Sequence, residues 1–162
     1  MSKDKVPATQ AIRVLREQGV AFETHVYDYV EKGGTAASSS ALGVDEHAVV
    51  KTLIMENDQR EPLVVLMHGD KQVSTRALAR TLGARSIQPC KPEVADKHSG
   101  YQVGGTSPFG TKRAMPVYLE RSVLALERIW VNGGRRGLLV SLAPSELVRV
   151  LAPTLVDVAV EA

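Results

Sequence analysis

Ala48-Val49-Val50-Lys51-Thr52-Leu53-Ile54-Met55-Glu56, then Asn57-Asp58-Gln59-Arg60, then Pro62-Leu63-Val64-Val65-Leu66-Met67-His68, is the stretch that decides the fold class. Two apolar runs of strand length flank a polar connection too short for a crossover, so residues 49–56 and 62–68 pair as an antiparallel hairpin. Upstream, residues 21–27 alternate Phe22, Thr24 and Val26 against Glu23, His25 and Tyr27, which is a strand pattern. Before it, Ala8, Ala11, Ile12 and Leu15 form a helical stripe over residues 8–18 that Gly19 ends. Lys32-Gly33-Gly34 reads as a loop, and the small residues after it as a short helix stopping at Gly43.

Downstream, residues 75–82 read as a helix with Gly83 past its end, Ile87 begins a short extended piece, and residues 92–97 form another short helix. Residues 117–119, 128–131 and 138–142 are further strands, the last two joined through Gly133-Gly134-Arg135-Arg136-Gly137. Pro144 opens a helix over 145–151, and residues 155–160 alternate as one terminal strand. Strands outnumber helices, and no repeat, linker or low-complexity tract divides the chain. The expectation is one α+β domain over residues 1–162, with a mixed, largely antiparallel sheet surrounded by helices.

At 162 residues with 44% hydrophobic content, the chain is long enough to bury a core without covalent staples. A net charge of only +2 argues against polyanion binding by bulk charge and leaves room for a local basic patch. Cys90 is the only cysteine, which excludes an internal disulfide and a cysteine-based metal cluster and suits a reducing compartment. Residues 1–7 are polar with no apolar core of a signal peptide, and no run approaches the roughly 20 apolar residues of a membrane span. A cytoplasmic location without membrane contact is expected.

Lys51 is the residue out of place, because its strand face otherwise carries Val49, Leu53 and Met55. One reading is an edge lysine whose stem lies along the sheet and whose head reaches water. The other is a pocket lysine that grips a carbonyl or phosphate oxygen, or acts as an amine of lowered pKa. The run Gly104-Gly105-Thr106-Ser107-Pro108-Phe109-Gly110 has the small residues and hydroxyls of an oxyanion nest, or of a plain loop. Asn132-Gly133-Gly134-Arg135-Arg136-Gly137 is either a hairpin with arginines in water or a loop whose arginines touch ligand phosphates. The four histidines, His25, His47, His68 and His98, are scattered in sequence without metal-ligand spacing, so no metal is expected. Ser38, Ser39 and Ser40 lack a nucleophile elbow, and Cys90 reads as a surface or half-buried thiol.

In order, Phe22-Glu23-Thr24-His25-Val26-Tyr27, Val50-Lys51-Thr52-Leu53, Leu82-Gly83-Ala84, Ser99-Gly100-Tyr101-Gln102-Val103-Gly104-Gly105-Thr106-Ser107-Pro108-Phe109-Gly110 and Ile129-Trp130-Val131-Asn132-Gly133-Gly134-Arg135-Arg136-Gly137-Leu138 resemble the YbaK/EbsC family over nearly the whole chain. The resemblance implies a YbaK-like fold shared with editing domains of prolyl-tRNA synthetases. It also implies trans-editing of aminoacyl-tRNA, typically removal of cysteine from tRNA(Pro) and sometimes from tRNA(Cys), with no cofactor. It places the essential lysine on Lys51 and a pocket tyrosine on Tyr27. Gly104, Gly105, Thr106, Ser107, Pro108, Asn132, Gly133 and Gly134 then fall in the substrate loops, with Arg135 and Arg136 toward tRNA. Prolyl-tRNA synthetase is the implied partner, and attack by the substrate's own thiol the implied chemistry, which would make the enzyme a lyase. Asn132 stands where the family usually has Ser, Arg135 where Lys is common, and Ser141 where an acid is frequent. Alternatives are a deacylase for another amino acid such as alanine, and a non-catalytic module that binds aminoacyl-tRNA or the synthetase.

Overall fold

Asn57 closes the central hairpin with its own side chain: Oδ1 accepts from the amides of Gln59 and Glu61, each at 2.9 Å, while Arg60 takes the left-handed φ of 61°. The computed structural model describes residues 8–162, so the expectation for residues 1–7 lies outside it. Its elements are α1 (Gln10–Glu17), β1 (Glu23–Val26), α2 (Gly34–Leu42), β2 (Val49–Asn57), β3 (Pro62–His68), β4 (Lys71–Val73), α3 (Thr75–Leu82), β5 (Ile87–Pro89), α4 (Pro92–Ser99), β6 (Val117–Glu120), β7 (Ile129–Arg135), β8 (Leu138–Leu142), α5 (Pro144–Leu151), β9 (Thr154–Val156) and β10 (Ala159–Glu161). Short 3₁₀ turns occupy Glu46–Ala48 and Arg121–Ala125.

The main sheet runs β1-β8-β7-β2-β3-β6-β9, with β5 added against β2, and β10 pairs with β4 in a second, two-stranded sheet. The β1–β8, β8–β7, β2–β3, β2–β5 and β4–β10 ladders are antiparallel, whereas β2–β7, β3–β6 and β6–β9 are parallel. The α+β class and the mixed sheet therefore stand as expected. The terminal strand does not. Its alternation breaks at Asp157–Val158, where Val158 donates to Glu120 Oε1 at 2.8 Å and accepts from Ser74 at 2.7 Å, so β9 and β10 enter different sheets.

Period-two alternation sends the strands' apolar residues to two cores. Val50, Ile54, Val64 and Leu66 join Ile12, Leu15 and Phe109 on one face. Met55, Leu63, Val65 and Met67 join Leu78 and Ala79 of α3 on the other. Thr9 caps α1 by accepting from Ile12, and Ser74 caps α3 by accepting from Ala77.

Phe109 ties the long segment between α4 and β6 to the first core. It is fully buried, its amide donates to Ser107 Oγ at 3.2 Å, and its carbonyl accepts from the Tyr101 hydroxyl at 2.6 Å. Phe109→Ala is expected to lower unfolding stability by about 3–5 kcal/mol, as buried aromatic truncations do. Urea unfolding checks this, and a midpoint equal to wild type would show that the segment is not anchored there.

Candidate active site

The site opens where the sheet comes apart. On the side away from β3, β2 pairs with β7 at Val49 and Val50 and with β5 at Met55, Glu56 and Asn57. Lys51, Thr52 and Leu53 have no strand partner on that side among the described residues. A cleft of about 910 Å³ fills the gap, lined among others by Tyr27, Lys51, Thr52, Gly104, Thr106, Asn132 and Arg136. This is the size range of small-molecule sites. Thr52, in the cleft wall, has its Oγ1 buried without a hydrogen-bond partner among the described residues, an uncompensated polar atom beside the opening.

Lys51 is not an edge lysine: β2 is interior to the sheet, with Lys51 opposite Met67 on β3. Its amine is half-buried and makes no ion pair within 4 Å among the described residues. Burial lowers its pKa below the usual lysine range, opposed by the negative charges of Glu46 and Asp70. Burial also pushes the Tyr27 phenol up, so at neutral pH it is a donor and not an anion.

The two glycine-rich segments meet over this opening. Asn132 Oδ1 accepts from the amides of Gly134 at 2.7 Å and Arg135 at 3.1 Å, and its Nδ2 donates to the Gly104 carbonyl at 3.2 Å. Arg136 Nε donates to the Val103 carbonyl at 3.0 Å, with its guanidinium 4.9 Å from the Tyr29 ring centre. Gly105 is buried at the crossing, where a Cβ would lie 2.6 Å from the Arg136 nitrogen and 2.7 Å from the Arg135 carbonyl carbon.

Several expected site residues sit beside the cleft and not in it. Gly105, Ser107 and Pro108 are buried as scaffold. The Gly105 amide is committed to the Gln102 carbonyl at 2.7 Å, so this segment is not the open nest expected. Gly133 and Gly134 are not turn residues: they belong to β7, in a bulge between Asn132 and Arg135. A Cβ on Gly133 would meet Leu138 at 2.9 Å, and one on Gly134 would meet Tyr101 at 2.9 Å. Arg135 is exposed, and Arg136 is partly buried and bonded to its own chain.

Tyr29, Thr35 and Ser38 line the cleft without having been singled out for it. Ser38 Oγ donates to the Thr35 carbonyl at 3.2 Å, and burial with the nearby Glu56 pushes the Cys90 thiol up to about 11, so neither is an activated nucleophile. The histidines are less scattered than their sequence positions. His47 stacks on His68 with centroids 3.7 Å apart and planes 8° apart, and His47 Nδ1 pairs with Asp70 Oδ1 at 2.8 Å. The ligand atoms of His47, His68 and Asp70 lie within 4.8 Å of one another. Parallel rings aim their in-plane lone pairs side by side, however, and both nitrogens of His68 already contact His47 O and Ser122 Oγ.

A model of the aminoacyl-tRNA editing domain matches residues 31–150, about three quarters of the chain, including Lys51 and both glycine segments. The chain belongs to the aminoacyl-tRNA editing domain family. This editing domain is 27% identical over 150 residues to EbsC of Enterococcus faecalis, provisionally named a Cys-tRNA(Pro)/Cys-tRNA(Cys) deacylase, with 91% of this chain and 92% of EbsC covered. It is 35% identical over 96 residues to the proline–tRNA ligase of Ligilactobacillus salivarius, covering 59% of this chain and 17% of that enzyme. A crystal structure described provisionally as a trans-editing enzyme for prolyl-tRNA synthetase shares the fold, with a TM-score of 0.82, 20% identity, and 94% and 98% of the two chains covered. Tyr27 and Tyr29 precede the residues that the editing-domain model matches. No helix among the described residues is long and apolar enough to cross a membrane.

Proposed function

We propose that this editing domain, as a single unit over residues 1–162, acts in trans on mischarged tRNA, cleaving the ester between cysteine and the 3′ end of tRNA(Pro). The observation that carries the reading is the half-buried Lys51 ammonium, without an ion-pair partner among the described residues, in a cleft beneath the meeting point of the two glycine segments. An aminoacyl ester is already activated, so a fixed cation and exclusion of water from one face lower its barrier without a protein nucleophile. Lys51 binds the ester carbonyl or the adjoining 3′ end, and Tyr27 and Thr52 offer hydroxyls to the aminoacyl group. Gly104, Thr106 and Asn132 form the facing wall. Gly105, Ser107, Pro108, Gly133 and Gly134 act by holding that wall, and Arg135 and Arg136 lie toward the tRNA.

The thiol of the substrate supplies the nucleophile. A sulfur–carbon bond forms at its own carbonyl, the ester carbon–oxygen bond breaks, and the thiol proton passes to the departing ribose hydroxyl. This makes the reaction a lyase reaction of the cytoplasm, with prolyl-tRNA synthetase contributing recognition of the tRNA body. The small net charge supports that division of labour, because few phosphate contacts are available to read the tRNA alone. The 27% identity to EbsC over nearly both full lengths supports the choice of amino acid. Deacylation of Cys-tRNA(Pro), Ser-tRNA(Pro) and Ala-tRNA(Pro) by the purified protein tests it. Cysteine is expected to be released well ahead of serine and alanine, and equal rates for cysteine and serine would refute thiol assistance.

A further inference from the structure

A polar cluster behind α2 takes no part in the steps above, yet it abuts the Lys51 end of the cleft. Thr35, in the cleft wall, donates to Glu46 Oε2 at 2.7 Å and lies 3.1 Å from the Gly69 carbonyl. Gly69 has no room for a side chain, since a Cβ would lie 2.7 Å from Thr35 Oγ1 and 2.8 Å from the Glu46 carbonyl. The next residue, Asp70, is held by His47, which stacks on His68. His68 is 1% exposed and is fixed in turn by the His47 carbonyl and Ser122, and Ser122 donates to Glu120 at 2.9 Å. Two carboxylates, Glu46 and Asp70, are thus each pinned by a dedicated side chain. The β2–β3 register, Val50 opposite His68 and Lys51 opposite Met67, brings the cluster to the end of the hairpin that carries the amine.

We propose that Glu46 and Asp70, held by Thr35 and His47, are positioning residues that act as counter-charges to Lys51 and keep its ammonium charged and free for the ligand. The inference rests on reading Lys51 as the working cation of the site. A direct salt bridge would occupy the donors that the substrate needs, whereas carboxylates acting from beyond 4 Å offset desolvation and leave all three N–H groups available. Glu46 and Asp70 are the charges that oppose the effect of burial on Lys51. Glu46 and Asp70 lie outside the cleft lining, whose own charged and titratable groups besides Lys51 are Glu31, Lys32, Asp96, Arg136, Tyr27, Tyr29 and Cys90; Lys71 beside Asp70 is paired with Glu161.

The test is a ¹³C NMR titration of the Lys51 Cε resonance in the free protein, assigned with Lys51→Arg, for wild type, Asp70→Asn, Glu46→Gln and Glu146→Gln. Loss of either nearby carboxylate is expected to lower the Lys51 pKa by about one unit, and Glu146→Gln, on α5, to leave it unmoved. An activity that needs the ammonium is lost as pH rises through that pKa, so the alkaline limb of the deacylation profile moves to lower pH in both variants, and Asp70→Glu restores it. A Lys51 titration unchanged in folded Asp70→Asn and Glu46→Gln overturns the proposal. If one variant does not fold, the other carries the same readout. The titration needs no substrate, so failure to cleave any ester would count against the functional reading alone.

Discussion

Lys51→Ala is expected to lower kcat/KM for Cys-tRNA(Pro) deacylation by roughly 10²- to 10³-fold, the usual cost of removing one preorganised electrostatic donor. The fold should survive, because the side chain makes no ion pair among the described residues and lies where β2 lacks a strand partner on one side. Thermal unfolding near that of wild type, measured on the same preparation, separates lost chemistry from lost structure. Lys51→Arg should recover little, since a planar guanidinium cannot take the place of a compact ammonium in a partly closed space. Wild-type rates in Lys51→Ala would remove the basis of the functional reading.

Gly105→Ala carries the second large effect, and by a different route. Its new methyl group would sit within 2.6–3.0 Å of backbone atoms of Arg135 and Arg136, which cannot move aside as a side-chain tip can. The two segments must separate, at a cost of about 1–3 kcal/mol for overpacking. Misplacing the wall by about 1 Å is expected to reduce deacylation roughly 10²-fold. Paired urea unfolding and rate measurements check both, and a variant with wild-type activity would show that the crossing does not shape the site.

The central hairpin was legible because two apolar runs flank a short polar connection, and α1 and α3 because an apolar period ends at Gly19 and Gly83. The strand Lys71–Val73 and the division of the last strand were not. Each piece is three residues long, and the break at Val158 depends on partners far away in sequence, Ser74 and Glu120. At the site, Lys51 stood out as a charge within an apolar run. Tyr29 and Thr35 carried no such signal, because the loop and helix start that present them have no periodicity. The stack of His47 on His68 requires the 3₁₀ turn and the end of β3 to be side by side, which spacing along the chain does not reveal. For the glycines the doublets were visible but their neighbours were not: a Cβ on Gly105, Gly133 or Gly134 would meet Arg135 and Arg136, Leu138, or Tyr101, contacts that only the folded chain creates.

Cys90, the only cysteine of the chain, lies in the cleft lining next to the end of β5. That placement makes it a natural attachment point for a spectroscopic reporter. A small fluorinated alkyl group on its sulfur would register occupancy of the cavity by resonance shift, with no competing thiol to blur the signal. The raised thiol pKa sets the labelling conditions: coupling will be slow at neutrality and should quicken as the solution is made alkaline.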